Sequence, residues 1–547
     1  MKTELLLGDE AVALGAIHAG IGGAFSYPGT PATEIFEYIQ KCIRGTKGVS
    51  AFWSANEKVA YEEALGMSYT GKRAIVSMKH VGLNVAADPF MNSALTGVNG
   101  GIIVVVADDP GMHSSQNEQD SRYYGEFAQI PVIEPSNQQE CYDLTMEAFE
   151  LSERVGLPVM IRMVTRLAHS RSTVQVAEME IGPELIKQRP TEPDPNAWTL
   201  VPSNARRRFK RLVELQGTLR EWSEKSPLNS LKLAGPTGVI TSGIAFNYTR
   251  EALASNPDYS LLRISTYPVP TSLVRQLVSH CNEIWIIEEG YPFIESRLNG
   301  LTGVPGKAIR GKLSGDIPIT GELTPDIVAS ALGGVSAASV PEEENLADRP
   351  PALCRGCPHA DTFKAIIDAT QPRPESILFS DIGCYTLGVL PPYKAVHSCV
   401  DMGASIAMAH GAAQAGAHPV LCTIGDSTFT HSGMTPLIGA IRTNANMTVF
   451  VLDNATVAMT GGQQTMASGD DLIALLKGLG VKDDHLHLID PLPRNHAENV
   501  EVVTKAINHN GLSVIVARRP CIFEAQREAK QKKKQKSSQT ATAAART

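Results

Sequence analysis

The stretch PVLCTIGDSTFTHSGMTPLIGAIRTNANMTVFVLDNATVAMTGGQQ, residues 419–464, decides how this chain is read. It reads as strand, loop, helix, strand, loop. The apolar run Pro419–Ile424 ends in Gly425-Asp426-Ser427, and the run Met447–Leu452 ends in Asp453-Asn454. Asn454 follows Asp426 by 28 positions, about the span of one helical crossover between parallel strands. A crossover returns both strand ends to one edge of the sheet, where open α/β sheets bind ligands. Asp426 and Asn454 are therefore expected side by side. A carboxylate and an amide carbonyl are hard oxygen donors, suited to Mg2+ that also holds phosphate oxygens. Gly425 lets the backbone approach phosphates with no Cβ in the way. The bland alternative is an ordinary strand–helix–strand unit with an aspartate at a turn.

Working outward, 547 residues with 43% apolar and 19% charged side chains are enough for about three domains with cores of their own. The net charge of −8 argues against nucleic-acid binding by the body of the protein. No uninterrupted apolar run is long enough for a membrane span, for which about 18 residues are needed. The first residues, MKTELLLGDEAVALG, carry charges within their apolar stretch and lack a small-residue cleavage pattern, so no signal peptide is expected. Nine scattered cysteines suit a reducing, cytoplasmic setting.

The expected fold class is α/β, multidomain, built on parallel sheets. Residues 1–175 alternate helical and strand patterns, with buried strands at Gly101–Asp108 and Pro158–Thr165. Residues 176–235, rich in proline and charge and including RRRFKR at 206–211, read as a linker with a surface helix around Asn204–Lys225. Residues 236–335 read as a smaller α/β unit with strands near Thr237–Thr241, Ser260–Ser265 and Glu283–Glu288. Residues 336–351 read as a second linker, and 352–525 as the last α/β domain. Residues 526–547 are basic, then rich in Ser, Thr and Ala, and are expected to be a disordered tail.

The first domain offers its own candidates. In WSANEKVAYEEALG, Ser54-Ala55-Asn56 reads as a helix N-cap region and Glu57 falls in the first turn. A glutamate there either faces a ligand at the strand's C-terminal edge or merely complements the helix dipole. Glu62 and Glu63, in mid-helix, read as solvated. Three loops share the same rim: Tyr27–Thr33, which contains Thr30; Met78–Gly82, with Lys79 and His80; and Asp108–His113. Each is also readable as a polar turn.

Gly425-Asp426-Ser427 followed by Asn454 resembles the thiamine diphosphate motif. The chain as a whole, over residues 1 to about 525, resembles the alpha-subunit family of indolepyruvate ferredoxin oxidoreductases, in the 2-oxoacid:acceptor oxidoreductase superfamily. The resemblance rests on the collinear motifs LLLGDEAVALGAIHAG, YPGTPATEI, WSANEKVAYEEALG, MKHVGLNVAADP, PPALCRGCPH, DIGCYTLG, VDMGASIAMAHG and GDSTFTHSGMTPL. It implies a pyrimidine-binding domain over residues 1–175, a transketolase C-terminal-like domain over 236–335 and a diphosphate-binding domain over 352–525.

The resemblance also implies roles. Asp426, the Asn454 side chain and the Thr456 carbonyl bind Mg2+. Glu57 hydrogen-bonds N1′ of the aminopyrimidine as the activating acid. Thr30, Gly383, Cys384, Met402, Gly403, Gly425 and Ser427 line the cofactor, with Val400–Ala404 running beside it. Lys79, His80 and His359 are candidates to meet the substrate carboxylate or the oxyanion beside the reacting carbon. The implied reaction is oxidative decarboxylation of an aryl-2-oxoacid to acyl-CoA and CO2. The alternative is a non-oxidative decarboxylase that releases aldehyde.

Implied partners are a smaller beta subunit of the gamma type, coenzyme A and a separate electron carrier, a ferredoxin or flavoprotein. The implied assembly is a dimer of heterodimers. The family's alpha subunit ordinarily carries a ferredoxin-like domain with two CxxCxxCxxxCP groups; no such spacing occurs here, and Cys521 is the last cysteine. A [4Fe–4S] cluster usually takes four thiolates, so no iron–sulfur cluster is expected in this chain. Cys354-Arg355-Gly356-Cys357 supplies only two ligands where a zinc site needs four, and Cys384 and Cys399 would complete one only by coincidence. No metal is expected there.

Overall fold

A computed structural model of the chain describes residues 1–191, 195–254, 258–334 and 351–527. The expected second linker and the basic tail lie outside the described residues, apart from residue 351 and residues 526–527. The chain divides into two compact units, residues 1–342 and 343–547.

The first unit holds a seven-stranded sheet in the order Thr266–Tyr267, Val132–Ile133, Val159–Val164, Ile102–Asp108, Arg73–Lys79, Ile21–Ser26, Ser50–Trp53. All pairs are parallel except the first. Strand Ile102–Asp108 is buried along its whole length, which is why its sequence is a continuous apolar run rather than an alternating one. Parallel order puts the loops after Ser26, Trp53, Lys79 and Asp108 on one edge. Met78–Gly82 was expected as a loop; instead a short helix, His80–Val85, begins directly at the strand end. Helix Glu57–Tyr69 starts where the N-cap signal placed it, and the Asn56 side chain accepts the Val59 amide at 2.9 Å.

A five-stranded sheet follows, in the order Ala308–Arg310, Glu283–Ile287, Thr237–Ser242, Tyr259–Ile264, Leu231–Lys232. The stretch 176–235 carries helix Pro202–Lys225 and contributes the edge strand Leu231–Lys232 to this sheet. Strand Thr266–Tyr267 leaves the smaller sheet and pairs with the larger one.

A buried charge network sits where the two sheets meet. Arg162 donates to Asp108 at 2.8 Å and Glu134 at 2.5 Å, and Arg122 to Asp120 at 2.5 Å and Glu288 at 2.9 Å. Tyr267 donates to Glu134 at 2.7 Å. Both arginines are fully buried.

The second unit is a six-stranded sheet in the order Ser398–Cys399, Ile377–Ser380, Val420–Gly425, Thr448–Asp453, Ser513–Arg518, Leu486–Ile489, parallel throughout. Its strands are covered on both faces: Val449 and Val451 pack into one core, Phe450 and Leu452 into the other. Period-two alternation is hidden in such a sequence because both faces are apolar. The crossover after Gly425 is helical sooner than expected. A helical turn Asp426–Thr428 and a π-helical turn Phe429–Gly433 lead into helix Met434–Thr443, with no intervening loop.

Candidate active site

In the second unit, strands Val420–Gly425 and Thr448–Asp453 are neighbours, with Gly425 opposite Leu452. Their ends bring Asp426 and Asn454 together. Asp426 Oδ2 accepts the Ala455 amide at 2.8 Å and Oδ1 accepts the Ser427 amide at 2.7 Å. Asn454 Oδ1 accepts the Thr456 amide at 3.1 Å. Asp426, Asn454 and Thr456 are all buried. Burial pushes the Asp426 carboxyl up to about 7, because little solvent is left to stabilise its charge. A bound cation would supply that stabilisation. Three oxygens, from a carboxylate, an amide and a main-chain carbonyl, are the donor set a hard divalent ion takes. Glycine is required at 425 by packing: a methyl there would stand 2.8 Å from the Tyr385 ring.

His359 lies against this group. It is buried, and burial lowers its pKa to about 4, so the ring is neutral at physiological pH. Its Nε2 is 3.3 Å from Asn454 Nδ2. A neutral nitrogen accepting from the amide fixes which way Asn454 points and leaves Oδ1 on the opposite side. His359 thus sits as a partner of Asn454.

Sequence reasoning missed Asp381. Its fully buried carboxylate accepts the amides of Gly403 at 2.7 Å, Ser405 at 3.0 Å and Ile382 at 3.0 Å. It therefore ties the Gly383–Cys384 turn to the Met402–Gly403 turn. Gly403 has φ +96°, and a methyl there would meet Ser432 at 2.4 Å, so glycine is required. The first residue of DIGCYTLG was the available signal.

Four cysteines lie in the same region. Cys357 ends a turn that donates its amide to the Cys354 carbonyl at 3.0 Å, and His359 follows two residues later. The His359 ring meets the Tyr385 ring edge-on, centroids 5.7 Å apart, and Tyr385 follows Cys384. Cys521 donates its amide to the Asn454 carbonyl at 3.1 Å. Cys354, Cys357, Cys384 and Cys521 are thereby gathered. Burial, with a smaller contribution from the charges of the other cysteines in this group, raises the Cys357 and Cys384 thiols, the latter to about 12. Cys399 stands apart, 3.9 Å from the Thr386 hydroxyl.

In the first unit, Glu57 is buried at the edge of the seven-stranded sheet. Its carboxylate packs on the backbone of Gly82, where a methyl would stand 2.7 Å from Oε1. Glu62 and Glu63 are exposed. His80 is buried; its Nε2 meets the Asn117 carbonyl at 3.0 Å, and its Nδ1 has no hydrogen-bond partner among the described residues. Lys79 donates to the Ser114 carbonyl at 3.1 Å. Burial lowers its pKa, against the pull of Asp109 and Glu57. Thr30 lies in the loop after Ser26, and the neighbouring Gly29 abuts the Lys79 stem. The structure therefore brings Glu57, Lys79 and His80 to one rim.

Two family models match. Residues 14–217 match the thiamine diphosphate-binding region of pyruvate flavodoxin/ferredoxin oxidoreductases. Residues 381–517 match the C-terminal TPP-binding domain of thiamine pyrophosphate enzymes. Indolepyruvate oxidoreductase subunit IorA of Archaeoglobus fulgidus is 38% identical, covering 94% of this chain and 86% of the relative. The IorA subunit of Methanothermobacter thermautotrophicus is 38% identical over 95% and 87%. Among solved structures, the 2-oxoglutarate:ferredoxin oxidoreductase of Magnetococcus marinus shares the fold, with TM-score 0.50 and 17% identity over 60% of this chain and 65% of that one. Among the described residues no helix is long and apolar enough to cross a membrane. With identity of this level sustained along nearly its whole length, the chain belongs to the indolepyruvate oxidoreductase IorA family of thiamine diphosphate-dependent 2-oxoacid:acceptor oxidoreductases, as an alpha-type subunit.

Proposed function

We propose that the chain oxidatively decarboxylates an aryl-2-oxoacid, of the indolepyruvate or phenylpyruvate type, to acyl-CoA and CO2. The observation that carries the reading is the meeting of Asp426 and Asn454 at adjacent parallel strand ends. Asp426, the Asn454 side chain and the Thr456 carbonyl are the residues that would hold Mg2+ and, through it, the diphosphate. Bound thiamine diphosphate supplies a nucleophilic carbon and a sink for the electron pair freed by loss of CO2. Glu57 holds a proton at N1′ of the aminopyrimidine. Lys79 and His80, on the same rim as Glu57, supply donors for a substrate carboxylate. The aryl preference rests on the names of the relatives. A smaller partner subunit, coenzyme A and an outside electron carrier complete the reaction.

The gathered cysteines alter the expected route of the electrons. Four thiols are the ligand count of a [4Fe–4S] cluster. Cys357 is buried, Cys384 and Cys521 are half-buried, and Cys354 is exposed. We infer that this chain holds one cluster at Cys354, Cys357, Cys384 and Cys521, in place of the cluster-free chain expected from spacing.

Two measurements test these readings. The native complex, given an arylpyruvate, coenzyme A and an electron acceptor, should yield acyl-CoA; aldehyde as sole product with every acceptor would replace the oxidative reading with the decarboxylase one. Anaerobically purified chain should contain iron and sulfide in equal amounts, lost in Cys521→Ser. Iron-free protein after reconstitution would restore the cluster-free expectation.

A further inference from the structure

A second group of metal-ligating side chains lies in the first unit, made of residues given no role above. Asp9 is in the first turn of helix Gly8–His18, Glu34 in the first turn of helix Thr33–Cys42, and His169 at the end of the short helix Thr165–His169. One ligand atom from each lies within 4.8 Å of the others. His169 Nε2 stands 3.4 Å from Glu34 Oε2.

Asp9 is the anomaly. It is fully buried, and neither carboxylate oxygen has a hydrogen-bond partner among the described residues. The charged groups acting on it are Glu34 and Glu10, both acids. An unpaired buried carboxylate costs several kcal/mol unless it is neutralised or coordinated. Burial accordingly pushes its carboxyl well above the usual range, whereas the imidazole beside Glu34 holds that carboxyl below it. One side of the group is thus arranged as an anion and the other lacks any compensating charge. His169 is exposed, which leaves a path from solvent.

We propose that Asp9, Glu34 and His169 form a binding site for a divalent transition-metal ion. Two carboxylate oxygens and one imidazole nitrogen are a mixed set that Zn2+ or Mn2+ accepts and that Mg2+ and Ca2+, which take oxygen ligands, do not favour. Three protein ligands leave further positions for water. The ion joins the starts of two helices to the end of a third. Glu34 directly follows the loop that carries Thr30, so the ion fixes the helix end on which that loop is mounted.

The test uses the full chain, stripped with chelator and titrated with Mn2+ in the absence of thiamine diphosphate. Electron spin-echo spectroscopy should show bound Mn2+ coupled to one imidazole nitrogen. The oxygen donors around Asp426 give no such coupling, and thiols are poor Mn2+ ligands. His169→Gln, a change at an exposed side chain, should abolish the nitrogen coupling. Asp9→Asn should weaken Mn2+ binding by about tenfold or more, since even outer-shell partners are worth that much. Asp426→Ala should leave the coupling intact. Coupling that persists in His169→Gln, or unchanged affinity in Asp9→Asn, overturns the assignment. So does a wild-type chain with no nitrogen-coupled Mn2+, in which case Asp9 is simply a buried neutral acid.

Discussion

Glu57 and Gly82 are fitted to each other: the Glu57 carboxylate occupies the space a side chain at residue 82 would need, with Oε1 2.7 Å from where a Cβ would stand. Gly82→Ala should therefore displace the carboxylate without touching the metal-binding end of the cofactor. Misplacement of a catalytic group by about 1 Å can cost on the order of 100-fold. The expected outcome is a loss of that order in turnover, with thiamine diphosphate affinity retained. Unchanged turnover would show that Glu57 tolerates movement and has no catalytic contact.

Glu57→Gln keeps the shape and removes the shared proton. Thiamine diphosphate should still bind, and deuterium exchange at C2 of the bound cofactor should nearly stop. Exchange at the wild-type rate would leave Glu57 as a helix-dipole partner only.

Asp426→Ala removes the charged metal ligand and should abolish Mg2+-dependent thiamine diphosphate binding by calorimetry. The wild-type affinity should also depend on pH. With the Asp426 carboxyl at about 7 through burial, the cation must displace a proton below that pH. Affinity should rise about tenfold per pH unit up to pH 7 and then level off, as one-proton linkage requires. The sign for the ligand-free fold is opposite. Its native state holds the proton more tightly than the unfolded chain, so this group's stabilisation is lost as pH rises from about 4 towards 7. Asp426→Asn should flatten both dependences.

Arg162→Met should destabilise the first unit by about 3–5 kcal/mol in denaturant unfolding, because it leaves Asp108 buried without its arginine and Glu134 with only Arg122, 3.9 Å away. A loss below 1 kcal/mol would mean that the two acids are already neutral.

What was legible in the sequence was whatever a strand end displays. Gly425-Asp426 and Asp453-Asn454 are read directly because parallel strands deliver their C-terminal ends to one edge, and Asn56-Glu57 because an N-cap names the residue after it. Asp381 was illegible because its partners, Gly403 and Ser405, are more than twenty positions away and are engaged through backbone amides that carry no sequence signature. The nearness of Cys521 was illegible for a related reason: spacing finds Cys354 and Cys357 and gives no ground to prefer Cys521 over Cys399 as a neighbour of Cys384. The helical start at His80 was missed because a polar residue after a strand reads equally as a turn. Asp9 was present in a quoted motif, but nothing local said that its carboxylate would be enclosed.

The buried arginines have a mechanical consequence. Arg162 grows from a strand of the larger sheet, while Arg122 reaches Glu288 at the end of a strand in the smaller one. Sliding these sheets apart would break the Arg122–Glu288 pair and leave both charges in an interior that cannot solvate them. The seven-stranded and five-stranded sheets of the first unit are thus welded rather than hinged.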